Sequence, residues 1–187
     1  MEVEVKKLLD ETSIHMEMAI AHLESELLKI RAGKASPAML EGIHVDYYGT
    51  NTPLHQVANI STPDARTLMV QPWEKSMIHP IEKAITNANL GLNPQNDGVV
   101  VRITVPPLTE ERRKELVKKT KAEGEHAKVT IRNARRDTME LFKGLIKQGL
   151  PEDIGKDAEN KVQLITNNFI AKVDKHLATK ETEIMTV

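Results

Sequence analysis

From Val117 to Leu145 the residues Val117, Thr120, Gly124, Ala127, Ile131, Ala134, Thr138, Leu141 and Leu145 fall at spacings that alternate strictly between three and four. Regularity of that kind over four heptads admits a long helix packed in a bundle or a coiled coil, and little else. Thr109 is suited to cap its start, with Glu110 and Glu111 in the first turn where the helix dipole favours negative charge, and Gly149 ends it. The small residues in the middle of the seam let a neighbouring helix come close.

Two further segments share the pattern. Leu9, Thr12, Met16, Ala19, Leu23, Leu27 and Ile30 mark one amphipathic helix that should stop near Gly33, with Pro37 shortly after. Pro151, Glu152 and Asp153 open another, whose seam runs Ile154, Ala158, Val162, Ile165, Phe169, Val173, Leu177 and Ile184. Helices of about 30 to 40 residues would be roughly 45 to 60 Å long, well beyond the usual globular element. The expected product is an elongated three-helix bundle made from residues 1–33 and 107–187.

Between the first two helices the periodicity changes. Ile43–Gly49 and Val99–Val105 are β-branched and aromatic with turn residues outside them, Thr67–Val70 reads as another strand, and Ser76–Leu90 reads as a short helix closed by Gly91. Residues 36–105 should therefore form a small α/β domain inserted into the bundle, which makes the fold class α+β. Both crossings carry proline, and segments 32–37 and 105–109 are candidate hinges, with Gly33, Ser36, Pro37, Pro106 and Pro107 as their pivots.

Five aromatic residues leave the core to Leu, Ile, Val, Met and Ala, and the absence of cysteine removes disulfides, thiolate zinc sites and cysteine nucleophiles. No apolar run approaches a membrane span, and the N-terminus carries no signal-like stretch, so a cytoplasmic chain is expected. The net charge of −1 argues against a polyanionic partner, but its distribution does not: Glu110–Gln148 holds 12 Lys and Arg against 7 Asp and Glu, a balance of +5 that leaves −6 elsewhere. At about 100° per residue, Lys114, Lys118, Lys121, Lys128, Arg132, Arg135, Arg136 and Lys143 gather on one side of the helix, roughly 130° from the seam, with Glu110 and Glu125 intruding. A solvated helix face does not require charges to segregate by sign. A row of cations on a stiff rod matches a phosphate backbone, and without interleaved aromatics it would read shape and charge, not single-strand sequence.

Signatures of catalysis fail one after another. Gly33-Lys34-Ala35-Ser36 resembles the end of a P-loop, but Leu28 stands where the first glycine belongs and Ala35 where the magnesium-binding hydroxyl belongs. His15 and His22 lie about 10.5 Å apart along the helix axis, too far to share a metal, and His44, His55, His79, His126 and His176 show no ligand spacing. No cofactor, metal or small-molecule substrate is expected, and the chain reads as a non-enzyme.

Six separated motifs carry a resemblance. Lys29-Ile30-Arg31-Ala32-Gly33-Lys34-Ala35-Ser36-Pro37, Tyr47-Tyr48-Gly49-Thr50 with Pro53-Leu54, Glu82-Lys83-Ala84-Ile85, Leu90-Gly91-Leu92-Asn93-Pro94, Pro106 through Lys114, and Arg132-Asn133-Ala134-Arg135-Arg136-Asp137 together resemble the bacterial ribosome-recycling factor family. That resemblance implies an L shape that mimics tRNA. It also implies binding to ribosomal RNA of the large subunit after termination, and subunit splitting together with elongation factor G and its GTP hydrolysis. Arg31, Arg132 and Arg135 match the family's RNA-contacting positions, with Lys128 and Arg136 on the same stretch, and Lys121 joins them from the cationic face. A monomer is expected. The competing reading is a helical adaptor or chaperone-like module that offers its seams to partner helices without binding RNA.

Overall fold

The structure, a computed structural model, describes residues 1–30 and 32–186. Along the chain the elements are α1 (Glu2–Lys29), β1 (His44–Tyr47), β2 (Thr50–Pro53), a single turn α2 (Leu54–Val57), β3 (Ala58–Asp64), β4 (Thr67–Pro72), α3 (Ile78–Asn87), β5 (Asn93–Asn96), β6 (Val101–Thr104), α4 (Glu110–Lys147) and α5 (Glu152–Met185). They divide into two compact units, Met1–Ala32 with Glu110–Val187, and Gly33–Thr109. No described helix is long and apolar enough to cross a membrane.

In the first unit α1, α4 and α5 pack on one another as a three-helix bundle. Its buried residues follow a period that the heptad reading missed. Thr120, Ile131 and Phe142 are fully buried at steps of eleven, as are Val162, Val173 and Ile184, while Val5, Met16 and Leu27 repeat the step in α1. Eleven residues make three turns at about 3.67 residues per turn, the period of a nearly straight helix and not the 3.5 of a left-handed coiled coil. A strict heptad drifts by about 20° per repeat against such a helix, and the ends of the expected seam slip accordingly. Leu116 is buried where Val117 was expected, and Phe142 replaces Leu141, which is exposed. On α5, Thr166 takes the buried place expected for Ile165.

The small residues do allow close approach, since a Cβ at Gly124 would collide with the side chain of Leu177 on α5. The buried threonines of the bundle find partners: the hydroxyls of Thr12 and Thr138 lie 2.6 Å apart, and those of Thr120 and Thr166 donate to carbonyls one turn back. Such satisfaction lets threonine sit in an otherwise apolar seam.

The second unit is a four-stranded antiparallel sheet in the order β3-β4-β6-β5, together with the separate hairpin β1-β2. Leu68, Val70, Val101 and Ile103 from the two central strands form one core with Ile78, Ile81 and Ile85 of α3 and Val45 of β1. The helix expected over Ser76–Leu90 is shorter, Ile78–Asn87, and is entered through a 3-10 turn at Lys75–Met77. Strands β2, β3 and β5, absent from the sequence reading, complete the unit.

The two crossing segments meet inside this unit. Ala35 N–H donates to the Ala65 carbonyl at 2.8 Å and Val105 N–H to the Arg66 carbonyl at 2.7 Å, so one turn holds both. Gly33 has φ +75°, and a Cβ there would come 2.7 Å from Leu108 Cγ. Both constraints call for glycine.

Candidate nucleic-acid interface

The seam of α4 points at α1 and α5, which fixes where its cations can go. Counting round the helix from the buried centre, Arg135 and Lys128 lie only about 60° and 80° away, Arg132 about 120°, and Arg136 and Lys118 about 160°. Distance from the seam decides each side chain's environment.

Lys128 and Arg135 lean onto α5. Lys128 Nζ pairs with Asp174 Oδ1 at 2.6 Å and its side chain is 22% exposed. Arg135 is half-buried, Nη1 donates to Gln163 Oε1 at 2.9 Å, and its Nε is buried with no partner among the described residues. The expectation of one outward face is therefore corrected for these two: they border the helix interface because a face defined over eight cations was too wide. Arg113, at seam phase near the start of α4, has the same unpartnered, buried Nε. Arg113 is not among the cations expected on the face, and its place in Arg112-Arg113-Lys114 is the one signal the sequence offers for it.

Further round the helix the cations are open. Arg132 is 51% exposed and among the described residues pairs with Glu125 alone, Nη2 to Oε1 at 3.0 Å, itself exposed. Arg136 Nε lies 3.6 Å from Asp137 Oδ1, and Lys114 Nζ 3.3 Å from Glu110 Oε1, again at the surface. Lys118, Lys121 and Lys143 are exposed and make no ion pair among the described residues. Exposed ion pairs are worth about 0–1 kcal/mol, so an incoming phosphate can take over Arg132 from Glu125 at small cost. An unpartnered buried donor costs about 1–3 kcal/mol, and Arg135 and Arg113 would recover that on swinging out to an anion. The arrangement can grip a polyanion along some length of one rod.

Arg31, also expected to contact RNA, lies outside the described residues. Of the hinge residues, Ser36 Oγ accepts from Ala38 N–H at 3.3 Å, Pro37 begins a 3-10 turn to Leu40, and Pro106 and Pro107 are exposed outside regular structure. Among the described residues no three His, Asp or Glu side chains are grouped to hold a metal; His22 and His126, on α1 and α4, do approach, with ring centroids 6.4 Å apart.

Comparison with known proteins bears on this geometry. The family model described as ribosome recycling factor matches residues 23–185. The chain is 57% identical over 184 residues to the ribosome-recycling factor of Flavobacterium johnsoniae, covering 98% of each chain. It is 52% identical over 186 residues to that of Porphyromonas gingivalis, covering 99% of this chain and all of the other. A solution structure of a ribosome recycling factor superposes with a TM-score of 0.73 at 38% identity, over 98% of both chains. The T. thermophilus factor, in a structure that also holds E. coli elongation factor G on the E. coli post-termination complex, matches with a TM-score of 0.60 at 45% identity, over 97% of this chain and 99% of that one.

Proposed function

The chain belongs to the ribosome recycling factor family, and on that premise we propose that it docks α4 on ribosomal RNA of the post-termination ribosome and, with elongation factor G, splits the subunits. The observation that carries the docking is the division of α4: an apolar side sealed against α1 and α5, and an opposite side of exposed Lys118, Lys121, Arg132, Arg136 and Lys143. Arg132, Arg136 and Lys121 make the first contacts, Arg135 and Lys128 join from the border, and Arg31 belongs to the same set. Such contacts position the protein by backbone charge and shape, leaving base identity unread.

The chemistry lies in elongation factor G, whose GTP hydrolysis supplies the work; this chain acts as a non-enzymatic, monomeric wedge in the cytoplasm. Gly33, Ser36, Pro37, Pro106 and Pro107 serve as the pivots of the 33–109 unit. The adaptor reading is not favoured, because Ile131, Phe142, Val162 and Val173 are fully buried inside the bundle and cannot be offered to a partner helix.

Light scattering on purified post-termination ribosomes tests the reading. The chain with elongation factor G and GTP should split subunits, and omission of any one component should abolish splitting. Splitting that proceeds equally without the chain would contradict it. Replacing Pro106 and Pro107 with Ala should slow splitting more than it weakens ribosome binding; equal effects would leave the crossings as rigid connectors.

A further inference from the structure

The 33–109 unit carries two neighbouring tyrosines that clamp a single exposed carboxylate. Tyr47 Oη donates to Glu74 Oε1 at 2.8 Å and Tyr48 Oη to Oε2 at 2.9 Å, so each oxygen keeps a free lone pair. The two tyrosine rings pack edge to face with centroids 4.7 Å apart. Trp73, next to the carboxylate in sequence, is 67% exposed, and Tyr48 is 75% exposed.

Tyr47 leans partly on the core of the unit, whereas Tyr48 stands out from it. Tyr48 opens the β1-β2 turn at φ +50°, a left-handed conformation that is strained for a non-glycine residue, and the turn would close as well with Asn or Gly there. Strain spent on holding an aromatic ring in water points to a use for the ring. The tyrosine hydroxyls also keep the Glu74 carboxyl below its usual range, Tyr47 contributing most, and so keep it charged.

A fixed anion held by the hydroxyls of two neighbouring phenol rings is complementary to a cation that can both pair and stack. Guanidinium does both: its planar fork matches a carboxylate, and its face lies on aromatic rings. RNA is disfavoured at this spot, because its phosphates would meet Glu74 with like charge. We propose that Tyr47, Tyr48 and Glu74 form a docking site for an arginine-bearing segment of a protein partner, with the guanidinium paired to Glu74 and stacked on a tyrosine ring. Aromatic and charged anchors of this type carry most of the energy of protein interfaces.

Trp73 is the single tryptophan of the chain and directly precedes Glu74, which brings its emission within reach of a ligand on the carboxylate. The full-length protein is titrated with a short capped peptide carrying two arginines, the same peptide with citrulline in their place, and a single-stranded RNA oligonucleotide. The arginine peptide should change Trp73 emission saturably, and citrulline, which keeps the shape and loses the charge, should bind about tenfold more weakly or worse. Glu74→Gln, an exposed change of nearly equal shape, should weaken the arginine peptide by about fivefold or more while leaving the salt dependence of binding to large subunits intact. Loss of α4 docking and loss of this site are thus separately visible. Equal binding of the arginine and citrulline peptides, no saturable change, indifference to Glu74→Gln, or tighter binding by the RNA oligonucleotide would each overturn the proposal.

Discussion

Charge is held in opposite ways in the two units. On α4 the cations Arg132, Arg136 and Lys114 are met only by exposed carboxylates at 3.0 to 3.6 Å, and Lys118, Lys121 and Lys143 by none among the described residues. In the 33–109 unit the acids are gripped by donors fixed in turns: Asp97 Oδ1 accepts the N–H groups of Val99 and Val100 at 2.9 and 2.8 Å, Asp64 accepts that of Arg66 at 2.8 Å, and Glu74 takes two tyrosine hydroxyls. A long helix sorts charges by phase and leaves them exchangeable, whereas tight turns bind them with backbone dipoles. Exchangeable cations suit a polyanionic partner, and pinned acids suit either local structure or one preorganised contact.

Three changes probe that contrast, in falling order of size. Phe142→Ala removes a fully buried ring from the bundle and should cost about 3–5 kcal/mol in denaturant unfolding; a cost below about 1 kcal/mol would mean that the seam is not packed as described. Lys128→Ala, at the border of the cationic side, should cost up to about 1 kcal/mol through loss of the Asp174 pair and should move the salt dependence of ribosome binding less than Arg132→Ala does. If Lys128 moves it more, the Asp174 pair does not hold Lys128 back from the phosphates. Asp97→Asn is the smallest. Backbone N–H bonds from Val100 and Val99 hold the Asp97 carboxyl below its ordinary value. A lowered folded value stabilises the fold at neutral pH, and that contribution is lost as the pH falls through the folded value. The variant should therefore melt lower than the parent at neutral pH and match it in strong acid, and a gap that persists there would dissociate the carboxylate from the effect.

The bundle was legible because burial in a helix imposes a period that few residues can hide. What misled was the number chosen for it: Leu141 and Phe142 are neighbours, and only the eleven-residue step separates the exposed one from the buried one. In the other unit, the central strands β4 and β6 were legible, since Thr67–Val70 and Val101–Thr104 bury alternate apolar side chains. The edge strands were not. Asn93-Pro94-Gln95-Asn96 and Ala58–Asp64 carry polar residues and proline, as edges tend to, so their pairing is decided by the neighbouring strand and leaves no apolar alternation to read. The cationic side was legible as a direction but not in depth, since Arg135 becomes half-buried through Gln163, a partner 28 residues away on α5. The carboxylate clamp of Tyr47, Tyr48 and Glu74 was invisible for the same reason, because it joins residues 26 and 27 apart.

Co-sedimentation with large ribosomal subunits across a salt series tests the central claim most directly. For Arg132→Ala and Arg135→Ala the slope of log affinity against log salt should each flatten by roughly one, with weaker binding at every salt concentration. Parental affinity and slope in both variants would mean that α4 does not meet the phosphate backbone.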